Sequence, residues 1–523
     1  MLTSRSSKTL FLILIAALAA RIAVLAVLGP IHFQDTDGHF NALDLLKARG
    51  SWPATFDWST DHWTTFRVLG YANLMWAVDG VLGFRYSAMT PNFLALVALQ
   101  TALSLAAAAV LFRTALRVSR SIMVPALAVL IHLFSFELLY DVVLLPDSIF
   151  NALMLIAVCR TIDWTLAADQ PTNAHALGIG FVLAGMLLLR ETALFLTPAV
   201  AAFWAAAAAF KRARPARVAG LSLSLCLPVA VTYIAYCSWN LARTGQWFLT
   251  TGGEYAMLVP ALRIAQHAPD VRSLWDERLR TTRDPLEVPT IFWRAKLIVE
   301  EMSKAHALTP PAATALTSQA AIRSIAAHPL WFVYETAKQF SLWPAATVIA
   351  LPFVLDVFTA ETGGPITRAR VEKYGTPIMS VIFYLERMPT PMTYLKFRKD
   401  LGENVALIAL RAGAIAASAM IFVAFVLGGL KSIFCLVGRA SAWIPTHKAR
   451  WHLCSALLLA LYAYWAMLHC ALSFEVRYII SMQSVATVYG LKWLMCAAEA
   501  VIARPAVQGR KSFARMYRRK EEG

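Results

Sequence analysis

The chain has 523 residues, of which 59% are hydrophobic and 15% charged, with a formal net charge of +17. Soluble globular domains run at roughly 45–50% apolar and 25% charged residues, so an ordinary soluble protein is excluded. The positive charge sits in short clusters beside apolar runs, which points to the cytoplasmic side of a membrane and to anionic headgroups rather than to nucleic acid.

Apolar runs of about 20 residues recur, the length that crosses a ~30 Å hydrocarbon core, and such spans are helical because lipid offers no partner to backbone N–H and C=O groups. The first run, 9–29, follows Arg5 and Lys8 and contains Arg21. It is too long for a signal-peptide core and is read as a retained first helix with its start in the cytoplasm. A loop over 30–90 follows, rich in Trp52, Phe56, Trp58, Trp63, Phe66, Tyr71 and Trp76; aromatic residues favour the headgroup level, so short amphipathic helices lying on the membrane are expected.

Further spans are expected at 91–116, 121–140, 143–160, 175–189, 192–210 and 218–238, with a tight hairpin at Tyr140-Asp141. Arg113, Arg117, Arg120, Arg160 and the run Lys211 to Arg217 then all fall on one side. Residues 1–238 thus form an N-terminal transmembrane module. The segment 239–404 is mixed and charged and reads as an outer subdomain. Within it 342–358 is apolar but short, with Pro344 and Pro352, and fits a span, a re-entrant piece or an interfacial helix; a non-crossing piece is favoured, because a single extra crossing would invert every later basic cluster. Residues 405–503 carry spans at 405–429, 451–471 and 478–500, and 504–523 form a basic cytoplasmic tail. The fold class is an all-α polytopic membrane protein of about ten (10–13) transmembrane helices.

The seven cysteines lie in or beside apolar spans. Their odd number and lack of loop pairs argue against a disulfide framework, and no spacing resembles a zinc site. There is no Walker loop, no Gly-x-Ser-x-Gly elbow and no His-Glu-x-x-His.

Ionisable residues at membrane depth or its rim cost roughly 2.5–3.5 kcal/mol each at a helix centre and are functional candidates by default. Here they gather on the outer side: Asp35, Asp37 and Arg67 in the first loop, Asp141 and Asp147, Arg190 and Glu191, Asn240 and Arg243, then Glu475, Arg477 and Tyr478. Acids and bases from five turns on one face suggest a composite site for group transfer from an anionic lipid. Arg190, Arg477 and Arg67 would hold a phosphate through charge-assisted, bidentate contacts, and Asp35 would act as general base toward an acceptor. Plainer readings stand beside these. Asp35 and Asp37 also fit a solvated loop with a helix cap, or a divalent cation held by an Asp-x-Asp pair. Arg190-Glu191 also reads as a local ion pair, Asp147 as a cap for the fourth span, and Arg477 as a snorkelling side chain. Arg21, in mid-span, reads as structurally paired with an acid of a neighbouring helix.

In order and spacing these motifs resemble the GT-C glycosyltransferases, especially the branch of protein O-mannosyltransferases and the lipid A aminoarabinose transferase. The resemblance is carried by Arg21, Asp35 to Gly50, Arg67 with Gly70-Tyr71, Asp147, the small-residue helix ending in Arg190, Trp239-Asn240 with Gly245, and Arg477-Tyr478. It implies a GT-C fold with a periplasmic active site under the first loop, in the inner (plasma) membrane of a bacterium. It further implies a sugar donor on a polyprenyl phosphate such as undecaprenyl phosphate, with Asp35 at the catalytic position.

The reading is a membrane glycosyltransferase, inverting in mechanism, that passes a sugar to a periplasmic lipid, protein or polysaccharide. Asp35 and Asp37 are its catalytic candidates. Arg67, Tyr71, Asp147, Arg190, Glu191, Asn240, Arg477 and Tyr478 are its substrate- and phosphate-binding candidates. No metal and no cofactor beyond the lipid-linked donor are expected, and no nucleic-acid partner. The rival readings are a transporter or flippase for a lipid-linked substrate, and an oligosaccharide ligase.

Overall fold

A computed structural model describes residues 4–28, 36–52, 56–58, 61, 63–82, 92–119, 121–253, 255–285, 291–342, 349, 405–438, 447–472 and 480–499. The first half runs α1 (Ser4–Leu28), α2 (Thr36–Arg49), α3 (Trp63–Phe66), α4 (Gly70–Leu82), α5 (Asn92–Ser119), α6 (Met123–Leu133), α7 (Glu137–Tyr140), α8 (Asp147–Leu166), α9 (Asn173–Leu189), α10 (Ala193–Phe210) and α11 (Pro215–Thr244). The second half runs α12 (Leu258–Ala265), α13 (Glu277–Thr281), α14 (Ile291–Ala305), α15 (Pro310–Ala327), α16 (Pro329–Leu342), α17 (Val405–Val437) and α18 (His447–Leu472). Residues 480–499 form a last helix, α19. Seven of these, α1, α5, α8, α10, α11, α17 and α18, are long and apolar enough to cross a membrane; α6 and α9 are shorter apolar helices. This is an all-helical polytopic membrane protein.

The bundle has two distinguishable ends. At one, Lys211 donates from Nζ to the Trp164 carbonyl (2.8 Å), Arg217 to that of Pro171 (2.6 Å) and Arg450 to that of Ala167 (2.6 Å). This basic end gathers the finish of α8 and α10 and the start of α9, α11 and α18. At the far end stand the start of α8 and the finish of α9, α11 and α18. The Ser432 hydroxyl bonds the His452 ring at 3.0 Å, and Gly429 faces Leu459, so α17 runs antiparallel to α18 and begins at the far end. Because α11 also finishes there, the chain between them crosses an even number of times. Residues 343–348 and 350–358 of the short apolar segment lie outside the described residues.

Close approaches between helices are made at glycines, as is common where packing rather than hydrophobicity holds helices together in lipid. A Cβ on Gly180 would run into the Leu225 carbonyl of α11, and one on Gly490 into the Ile421 carbonyl of α17. Helix α11 opens with Pro215 in its first turn and stops at Gly245, whose φ of 73° is the left-handed conformation that glycine adopts without strain. Its 30 residues span about 45 Å, so it overreaches a ~30 Å hydrocarbon core.

The expected third span at 121–140 is not one helix. Helix α6 stops at Leu133, residues 134–136 turn, α7 is a single turn, and α8 starts only at Asp147. The physical reason lies in side chains from other helices. Arg21 donates to the Leu133 carbonyl (3.3 Å), and Gln100 to the carbonyls of Asp141 (3.1 Å) and Val143 (2.9 Å). Irregular backbone at membrane depth is tolerated where protein groups take over its hydrogen bonds.

Helices α12–α15 enclose a second apolar core of Leu258, Leu262, Val271, Trp275, Ile298, Met302 and Ala320. In α14 the buried positions Ala295, Ile298, Val299 and Met302 repeat with the period of an amphipathic helix. Arg263 of α12 donates to the Cys470 carbonyl at the finish of α18 (2.8 Å), seating this sub-bundle at the far end. Helix α16 bridges the two cores: Phe332 packs on the sub-bundle, Phe340 on the main bundle.

Candidate active site

At the far end a layer of buried polar side chains joins α1, α4, α5, α8 and α9. Arg21 is 2% exposed and donates from Nε to Asp141 at 2.5 Å; Asp141 also accepts from the Ser148 hydroxyl at 2.5 Å. A buried charge left without a partner is strongly destabilising, and this pairing accounts for an arginine in the middle of an apolar helix. Asp147, in the first turn of α8, accepts from Nη2 of Arg190 at 2.7 Å. The acid therefore bridges to the next turn, and α8 has no side-chain cap. Glu137 is fully buried and its Oε2 accepts from the Asn151 amide at 3.3 Å.

Tyr71 ties the first loop to this layer. It is fully buried, its hydroxyl donates to Oε1 of Gln100 at 2.7 Å, and its ring meets His39 edge-on at 5.1 Å. Burial, with the Asp147 carboxylate close by, pushes the phenol well above its usual range, so it stays protonated and donates. The neighbouring Gly70 has no room for a side chain, since a Cβ there would meet the Leu188 backbone at the finish of α9. Tyr71, Asp147 and Arg190 are thereby brought to one place.

The loop is tied a second time, to the top of α11. The Leu69 N–H donates to the Tyr236 hydroxyl at 3.1 Å. Arg243, 7% exposed, donates to the Thr64 hydroxyl (2.7 Å), the Thr64 carbonyl (2.9 Å) and the Asn240 side-chain carbonyl (2.7 and 3.1 Å). Its guanidinium lies 3.7 Å from the Trp239 ring centre and 5.0 Å from that of Phe56. The Asn240 amide donates to the carbonyls of Phe248 (2.9 Å) and Leu249 (3.0 Å), so its polar atoms are engaged in holding this turn. Arg67, half-buried, lies beside the Phe66 ring at 5.5 Å.

Among the sequence candidates, Tyr71, Asp147, Arg190 and Asn240 stand at the far end, with Arg67 in the same loop as Tyr71 and the half-buried Glu191 next to Arg190 in the turn opening α10. Asp35, Arg477 and Tyr478 lie outside the described residues, as does the side chain of Asp37, whose backbone belongs to the first turn of α2. Among the described residues no three His, Cys, Asp or Glu side chains converge as a metal site requires. Gln100 and the role of Arg243 escaped the sequence reading. An amide inside the mainly apolar run of α5 was the available signal for the first, and for the second an arginine three residues after Asn240 on one helix.

No family model and no curated protein matches the chain. Three solved structures resemble it. Two are of an oligosaccharyltransferase from Archaeoglobus fulgidus. Its apo form shows 11% identity and a TM-score of 0.46, and covers 97% of this chain and 52% of that one. AglB with an inhibitory peptide and a dolichol-phosphate shows 11% identity, a TM-score of 0.45 and the same coverage. ArnT from Cupriavidus metallidurans bound to undecaprenyl phosphate shows 12% identity and a TM-score of 0.32, covering 95% of this chain and 79% of that one. The chain spans about half the length of the archaeal enzyme.

Proposed function

We propose that this protein is a GT-C glycosyltransferase that moves a sugar from a polyprenyl phosphate to an acceptor on the outer face of the membrane. For a bacterial inner membrane the donor is an undecaprenyl-phosphate sugar, and the acceptor is a periplasmic lipid, protein or polysaccharide. The observation that carries this reading is the gathering of Tyr71, Asp147, Arg190 and Asn240, from four separate turns, at the end of the bundle opposite its basic clusters.

In the proposed reaction Asp35 takes the proton from the acceptor hydroxyl or amine, which attacks the anomeric carbon. The bond from that carbon to the phosphate oxygen breaks with inversion, and its electron pair leaves on the lipid phosphate. Arg190 stabilises the departing phosphate together with Arg477 and Arg67, and Tyr478 and Asp37 support the two sides. Asp147 fixes the plane of the Arg190 guanidinium through its 2.7 Å contact, a bidentate donor being useful only when its fork is aimed. Tyr71 and Asn240 hold the first loop and the α11 turn around them, and Glu191 lines the same turn.

The test is transfer from a polyprenyl-phosphate sugar by the purified full chain and by Asp35→Asn. Loss of at least a hundredfold in rate, with expression and melting unchanged, is the expected result. Near-normal transfer by a well-folded Asp35→Asn removes Asp35 from the mechanism.

A further inference from the structure

The first loop and the turn after α11 lie nearly two hundred residues apart in sequence, yet they are laced together by backbone and side chain. The Thr251 N–H donates to the Thr65 carbonyl (2.8 Å) and the Gly252 N–H to the Phe66 carbonyl (2.9 Å). The Thr65 and Thr251 hydroxyls are 3.4 Å apart. Gly252 sits so close to Phe66 that any side chain would strike its carbonyl. Trp58 meets Phe248 and Phe66 meets Tyr255, both with ring centres 6.2 Å apart. The whole lace is pinned by Arg243, whose guanidinium reaches Thr64 on the loop and Asn240 on α11 at once.

Thr64 is fully buried and closes the set, since its hydroxyl accepts from Arg243 while donating to the Asp61 carbonyl (2.8 Å). Asp61, also fully buried, pairs with Arg49 of α2 at 2.8 Å. A hydrogen-bonded path thus runs from α11 through Arg243, Thr64 and Asp61 to Arg49 of α2, the helix that follows Asp35. Downstream, the same pinned segment leads within three residues to Arg67 and on to Tyr71.

We infer that Arg243 is a positioning residue of this site. It clasps the first loop to α11 and so sets where the α2 segment, Arg67 and Tyr71 stand relative to Arg190, without touching the substrate. Lysine cannot replace the arginine, because one ammonium offers no planar fork to reach two partners while stacking on Trp239. A reacting group misplaced by about 1 Å costs on the order of a hundredfold in rate.

The activity arm of the test rests on the sugar transfer proposed above; a structural arm does not. In Thr65→Cys/Thr251→Cys, oxidation should join the two segments covalently. The crosslink should form at least about tenfold more slowly when Arg243→Ala or Arg243→Lys is added, and equal rates overturn the clasp whether or not the chain transfers sugar. In the transfer assay both Arg243 variants should lose about a hundredfold in kcat, with KM for the donor within about threefold. Oxidising the Thr65→Cys/Thr251→Cys pair in the Arg243→Lys background should restore kcat to within about tenfold of the crosslinked parent, and reduction should abolish it again. An unchanged kcat in the variants, or a crosslink that forms but restores nothing, overturns the inference; the latter would place Arg243 in contact with the substrate. A parent chain inactive on every polyprenyl-phosphate sugar, with Arg243-dependent crosslinking intact, would refute the proposed function and leave the clasp standing.

Discussion

At the scale of single residues, two buried arginines of the far-end layer are each paired with an acid from elsewhere in the chain. Arg21 meets Asp141 and Arg190 meets Asp147, in both cases with neither side chain more than 6% exposed. Breaking one partner of such a pair costs about 3–5 kcal/mol, because the survivor is left charged and buried. Asp147→Asn and Arg190→Gln should therefore each lower stability in detergent by an amount in that range. The double variant should cost clearly less than the sum, a coupling that unfolding of the four members of a double-mutant cycle measures directly. Additive, small effects would mean that the pair is solvated rather than buried. The expectation that Arg21 has an acid partner followed from the cost of a lone charge in mid-span. Which acid it was did not follow, since Asp141 lies 120 residues on.

At the scale of elements, the apolar runs were legible because a helix that must bury or solvate itself in lipid needs about 20 such residues in a row. What was not legible was the interruption at 134–146, because the groups that replace its lost helical hydrogen bonds come from Arg21 and Gln100 on other helices. Equally hidden was the contact at Gly70, which reads in sequence as part of an Arg-x-x-Gly-Tyr motif and in structure as the point where α4 touches the finish of α9. The obstacle there is backbone, which cannot swing aside as a side chain can. Gly70→Val should cost about 1–3 kcal/mol as an overpacked site and should lower transfer by displacing Tyr71. By contrast Gly253→Val, at a position open to space, should leave both within error. Melting and rate, measured on the same preparations, check the pair of variants together.

At the scale of the whole molecule, the two ends of the bundle are told apart by the basic end and the pairing of α17 with α18. The sub-bundle of α12–α15 belongs to the far end, whereas the starts of α11 and α18 belong to the basic end. In a chain whose native cysteines are replaced, Glu301→Cys should be labelled by a membrane-impermeant maleimide on intact cells. Ala216→Cys and Gly438→Cys should be labelled only after permeabilisation, as positive-inside orientation requires. Labelling of Glu301→Cys and Gly438→Cys from the same side would break the even number of crossings between α11 and α17. The candidate site was legible only as a set of charges expected on one side. Its internal order was not, because Gln100 and Arg243 act through neighbours that no local pattern announces.

The Arg21–Asp141 pair also has a consequence for how the protein is made. Arg21 of α1 leaves the ribosome 120 residues ahead of its acid, about 6–24 s at ordinary rates of synthesis. Throughout that interval α1 carries a charge worth roughly 2.5–3.5 kcal/mol against insertion at a helix centre. The apolar side chains of α1 can offset that cost during insertion, and the turn carrying Asp141 removes it on arrival by pairing with Arg21. The Arg21–Asp141 contact of the far-end layer is thus completed only when α1 and the turn carrying Asp141 have met.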